Sequence, residues 1–73
     1  MNKKMKDNVQ LFVNEKLGEL SERVTLEWQN TLLILTGKID NRYFTQADLE
    51  NLNWYICNKW KSLSVRMKIE RVA

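Results

Sequence analysis

The chain has no histidine, no proline, one cysteine and two glycines in 73 residues. Lacking histidine, it lacks the side chain most often used as a general base near neutral pH and most often found on metals. The single thiol, Cys57, can form neither a disulfide within the chain nor a multi-thiolate metal site. With Gly18 and Gly37 isolated and no proline, no Gly-rich phosphate loop and no flexible linker is apparent. No stretch approaches the ~20 apolar residues of a membrane span. The basic start Met1–Lys6 runs into Asp7-Asn8, where an export signal would need an apolar core, so no such signal is visible. Together with the lone thiol this gives the expectation of a cytoplasmic protein.

What is present suits a folded domain. Hydrophobic residues make up 44% and charged residues 29%, too apolar a mixture for a disordered chain. Residues 1–73 are expected to form one small domain, with 1–6 as a basic, frayed N-terminus. A chain this short buries only roughly 60% of its unfolded surface, which leaves a thin stability margin. The net charge of +3 is uneven: residues 24–58 carry −2 and residues 59–73 carry +4. The basic end holds Lys59, Lys61, Arg66, Lys68 and Arg71. Such a cluster can attract nucleic acid or an acidic protein face, and it equally suits a solvated strand edge kept apart by its lysines.

Periodicity predicts five elements. Met5, Val9, Phe12, Val13, Leu17 and Leu20 recur at steps of three and four, the stripe of an amphipathic helix over 7–20, with Leu11 widening it. That helix begins at Lys3 or at Asp7, where Asp7 and Gln10 would form a capping-box start, and Gly18 is placed to end it. Val24, Leu26 and Trp28 then alternate with polar residues, and a second alternating run follows, predicting a hairpin over 24–39. A two-residue turn at Asn30-Thr31 and a longer loop over Gln29–Thr31 both fit. The two-residue turn pairs Trp28 with Leu33, Leu26 with Leu35 and Val24 with Gly37, all on one face. The opposite face then presents Leu32 and Ile34 to water.

Residues 41–60 are predicted as the second helix, opened by Thr45 and Asp48, with Leu49, Leu52, Ile56 and Trp60 as its core stripe. On the same wheel Trp54 points away, near Tyr43, Ala47 and Lys61, and Phe44 and Tyr55 form a flank. Residues 62–72 alternate as a closing strand. The expected fold is therefore two-layer α+β in the order α-β-β-α-β, with a three-stranded, mainly antiparallel sheet carrying both helices on one face.

That order, and the run from Val24 through Asn30, Leu32, Leu33, Leu35, Gly37 and Ile39 to Asp40, resembles the bacterial BON domain over residues 24–69. Thr31 stands where that family has a turn glycine, and Ser62-Leu63 where it has Gly-Val. The resemblance implies the same fold and a protein that contacts phospholipid or other proteins.

Catalysis finds no support in the inventory. Ser21, Ser62 and Ser64 lack a base in any recognisable motif. Asp48 and Glu50 serve the dipole of the second helix, and Asp40 stands apart from them. Cys57 borders the core stripe, as a buried inert thiol does. No cofactor or metal is expected. The expectation is a non-catalytic, regulatory or inhibitory protein-interaction module. It would act as a homodimer or on a different protein, with Leu32, Ile34, Tyr43, Trp54 and Tyr55 as interface candidates. Two alternatives are a nucleic-acid-binding accessory protein using Lys59, Lys61, Arg66 and Lys68, and a BON-like module that contacts membranes.

Overall fold

Asn2 opens the first helix. Its side-chain oxygen accepts the Met5 amide at 2.8 Å, satisfying one of the amides that a helix start leaves unpaired. The computed structural model describes residues 2–73, and α1 spans Lys3–Leu17. Asp7 thus lies inside the helix rather than at its cap, and residues 3–6 are helical rather than frayed; Met1 lies outside the described residues. Val9, Val13 and Leu17 are the buried stripe. Leu11, expected to widen it, is instead 66% exposed, because it sits half a turn from Val9 and Val13. Gly18 ends the helix with φ 60°, a left-handed conformation in which any other L residue would be strained. A 3-10 segment, Gly18–Arg23, leads into the sheet.

The hairpin consists of β1 (Val24–Gln29) and β2 (Leu32–Asp40). The turn has the two residues Asn30 and Thr31, with Asn30 at φ 57°, a value asparagine tolerates better than most residues. The antiparallel register is the expected one, with Val24↔Gly37, Leu26↔Leu35 and Trp28↔Leu33. A turn at Asn41–Tyr43 follows, and Thr45 then caps α2 (Gln46–Lys59). The Thr45 hydroxyl accepts from the Asp48 amide at 3.1 Å, and the Asp48 carboxylate accepts from the Thr45 amide at 2.9 Å. This reciprocal box satisfies two otherwise orphaned donors.

Helix α2 carries the chain back to the end of the sheet where β2 began. The last strand, β3 (Ser64–Val72), therefore runs parallel to β2, from Leu32↔Ser64 to Asp40↔Val72. A helical crossover between parallel strands is the connection such pairing requires. The sheet is mixed, ordered β1-β2-β3: antiparallel across the hairpin, parallel across the crossover. The fold is the α+β arrangement α-β-β-α-β, with both helices packed on the face that carries Leu33, Leu35 and Ile69. Leu52 and Ile56 come down from α2 and Val9 and Val13 from α1 onto that face. Phe44, expected on the helix flank, precedes the cap and is a core residue at 4% exposure.

Candidate functional site

Leu52 and Ile56 lie four residues apart and face the sheet, so Trp54, about 160° round the helix from each, must face solvent. It is 61% exposed. Tyr55 meets it edge to face, with ring centroids 5.5 Å apart and planes at 74°. Tyr43 is 65% exposed and Tyr55 41%. The structure does not place Tyr43 beside Trp54, as a continuous wheel would. The helix begins only at Gln46, so the 100° step does not extend back through Thr45 to Tyr43. Instead Tyr43 and Tyr55 border one groove of about 390 Å³ between the end of α1 and the start of α2, with Leu17, Leu20 and Phe44 among the residues lining it and Lys16 and Asp48 among the polar ones. Trp54 borders a shallower depression on the other flank of α2, with Cys57 and Lys61.

Two lysines organise the seam between the helices. The Lys16 ammonium lies 4.5 Å from the Tyr55 ring centroid and 5.4 Å from that of Phe12. The Lys59 ammonium lies 4.8 Å from Phe12 and 5.4 Å from Trp60. Phe12 and Trp60 themselves meet edge to face at 5.2 Å. A cation over a ring face is attracted by about 0.5–1 kcal/mol at exposed positions, so Lys16 steadies Tyr55 against α1. Sequence reasoning missed Lys16, Phe12 and Trp60 as parts of this surface. The signal present was the i, i+4 spacing of Phe12 and Lys16, but their partners come from the other helix.

Tyr43 is held by its own turn. Asp40 accepts from the Arg42 amide at 2.9 Å and from the Arg42 guanidinium, Nε to Oδ1 at 3.0 Å and Nη2 to Oδ2 at 2.6 Å. The guanidinium carbon in turn lies 5.5 Å from the Tyr43 ring centroid. The Arg42 side-chain hydrogen bonds, then its amide, lower the Asp40 carboxyl from the usual 3.8 to about 2. A carboxylate lowered in the folded state contributes stability above its unfolded pKa, and that stability is lost as pH falls through the folded value. The turn is therefore expected to loosen between about pH 4 and pH 2. Amide exchange at Arg42 and Tyr43, taken relative to the intrinsic rate at each pH, should rise across that window in the wild type. In Asp40→Asn it should be raised already at pH 6 and flat; an unchanged profile in the variant would assign the effect elsewhere.

The outer face of the sheet corrects one expectation. Ile34 is 4% exposed, although it lies outside the core, and Leu32 is half-buried. Ile34 is flanked in register by Glu27 and Arg66, whose stems can lie over it while their charges reach water. The two aliphatics therefore offer no exposed apolar patch.

The four basic candidates do not share a surface. Arg66 and Lys68 stand on the outer sheet face, in register with Ile34 and Thr36. Lys59 turns to the helix seam, and Lys61 lies beside Trp54. Cys57, expected to be buried, is half-buried, with Sγ 3.6 Å from the Asn53 side-chain oxygen. Among the described residues no three Cys, Asp or Glu side chains converge as a metal site, and no helix is long and apolar enough to cross a membrane.

These features define a small two-layer α+β domain with an aromatic helix surface. No family model, no curated protein and no solved structure matches the chain. The resemblance to the BON domain thus rests on the residues of this chain alone.

Proposed function

We propose that this protein is a non-catalytic interaction module of regulatory or inhibitory type that binds another protein through the outward surface of α2. One observation carries the reading. Trp54 stands largely in water with the part-exposed Tyr55 edge to face beside it, while Leu52 and Ile56 already fill the core side of the same helix. Large aromatics with few rotatable bonds are the side chains that most often dominate protein interfaces. The groove bordered by Tyr43 and Tyr55 supplies a concave site on the Tyr55 flank of the same helix. A nucleic-acid surface would need its cations together, and here they lie on opposite sides of the sheet.

The test compares proteins retained from lysate of the encoding cell by immobilised wild type, Trp54→Ala and the outer-face control Thr25→Ala. A partner held by wild type and by Thr25→Ala should bind Trp54→Ala roughly 30-fold more weakly, the loss of a typical aromatic anchor. Circular dichroism should show all three folded alike. If every retained protein binds the three forms equally, the α2 surface is not the interface.

A further inference from the structure

The free edge of β3 has a directional hydrogen-bond pattern. The Asn41 amide donates to the Val72 carbonyl at 2.8 Å, and the Ser64 amide donates to the Thr31 carbonyl at 3.1 Å. In a parallel ladder both backbone groups of a residue point to the same side. Even-numbered residues of β3 therefore face β2, and Val65, Met67, Ile69 and Arg71 direct their N–H and C=O groups away from the sheet. β3 is the edge strand of the order β1-β2-β3. At nine residues it is longer than the other edge, β1, with six. A long edge strand is a template for another strand, and proteins usually blunt it with charge. Here the charges are Arg66, Lys68 and Glu70 at alternate positions on one face and Arg71 on the other, of mixed sign.

We propose that two copies of this chain join through β3, antiparallel about a twofold axis at Ile69, into one six-stranded sheet. The charges select this register. An axis at Met67 would set Arg66 against Lys68 of the other copy twice; one at Lys68 would set Arg66 against Glu70 twice but oppose the two Lys68 side chains at the axis; one at Glu70 would oppose the two Glu70 side chains. An axis at Ile69 sets Lys68 against Glu70 twice and opposes no like charges; Glu70 also lies 3.9 Å from the Lys38 ammonium of its own copy, a long and exposed pair that leaves its carboxylate open to Lys68 of the other. Ile69 then faces Ile69, Met67 faces Arg71, and the outward backbone groups of all three are satisfied. Lys68 and Glu70 fall at the non-hydrogen-bonded positions, where facing side chains approach most closely. A twofold axis perpendicular to the sheet leaves both helix layers on one side. The pairing is independent of the aromatic surface of α2, so either can fail without the other.

Sedimentation equilibrium over a range of concentrations tests the pairing. Wild type should dimerise reversibly. Lys68→Glu should weaken the dimer about tenfold, because two attractive cross-strand pairs become repulsive, and Lys68→Glu with Glu70→Lys should restore it. Arg71→Pro should abolish the dimer and keep the circular dichroism of the wild type, since its amide donates to no other strand of the same copy. In a Cys57→Ser background, oxidising a mixture of Lys68→Cys and Glu70→Cys chains should give a covalent heterodimer, and Lys68→Cys alone should not cross-link. A wild type that stays monomeric at millimolar concentration overturns the proposal. So does a dimer indifferent to Lys68→Glu and Arg71→Pro, which would join through another face. Cross-linking by Lys68→Cys alone overturns the register.

Discussion

Gly37→Ala is expected to lower the unfolding free energy by about 4 kcal/mol, the sum of backbone strain and forced overpacking at about 1–3 kcal/mol each. The residue has φ 152°, outside the range an L side chain adopts without strain. A Cβ built there would lie 2.0 Å from the Arg23 carbonyl oxygen. That oxygen belongs to backbone at the entry to β1, so it cannot swing aside as a long side chain would. Gly37 is also the central member of the row Val24–Gly37–Ile69, and displacing it disturbs both ladders. A domain of this length has roughly 4–11 kcal/mol of stability in total, so the variant should lose between about a third and all of it. Far-ultraviolet circular dichroism and urea titration read this directly. Gly18→Ala is the control: its φ is 60° with nothing within 4 Å, and it should cost only about 1 kcal/mol. Equal effects at the two glycines would show that conformation, rather than the close approach to Arg23, sets the requirement at Gly37.

Gly37 also shows where local pattern stops informing. Its place on the inward face follows from alternation with Leu33 and Leu35, and so does the hairpin register, because one buried face forces a period of two. Thr45 and Asp48 carry their capping chemistry in their own side chains, and the start of α2 was legible for that reason. Trp54 was legible too, since a helix that buries Leu52 and Ile56 has to expose it. Tyr43 and Phe44 were not, because a wheel drawn over 41–60 assumes helix from residue 41, whereas α2 begins only after Thr45. The direction of β3 depends on where α2 returns the chain, a property of the whole fold. Lys16 and Lys59 acquire their aromatic partners across the helix seam, which no spacing within either helix encodes. Ile34 was assigned to the correct face, but its cover comes from the neighbouring strands, and pattern along one strand is blind to that.

Leu35→Ala and Ile34→Ala should separate sharply although both residues are buried. Leu35 has no exposed surface and is flanked in the sheet by Leu26 and Met67, beneath the helices. Truncating it leaves a cavity walled by packed elements that relax little, at a cost of about 3 kcal/mol. Ile34 is flanked by Glu27 and Arg66, side chains tethered at one end with solvent behind them. They can settle into the vacated space, so the loss should stay near the transfer cost alone, about 1–2 kcal/mol. Urea midpoints of the two variants against wild type measure the contrast, and the Leu35→Ala shift should be about twice the other. Equal shifts would mean that Glu27 and Arg66 are held as rigidly as the core. The outer face would then be a second packed layer, whereas a small Ile34→Ala effect describes charged stems lying over one aliphatic, a face sealed by its own chain and needing no partner to cover it.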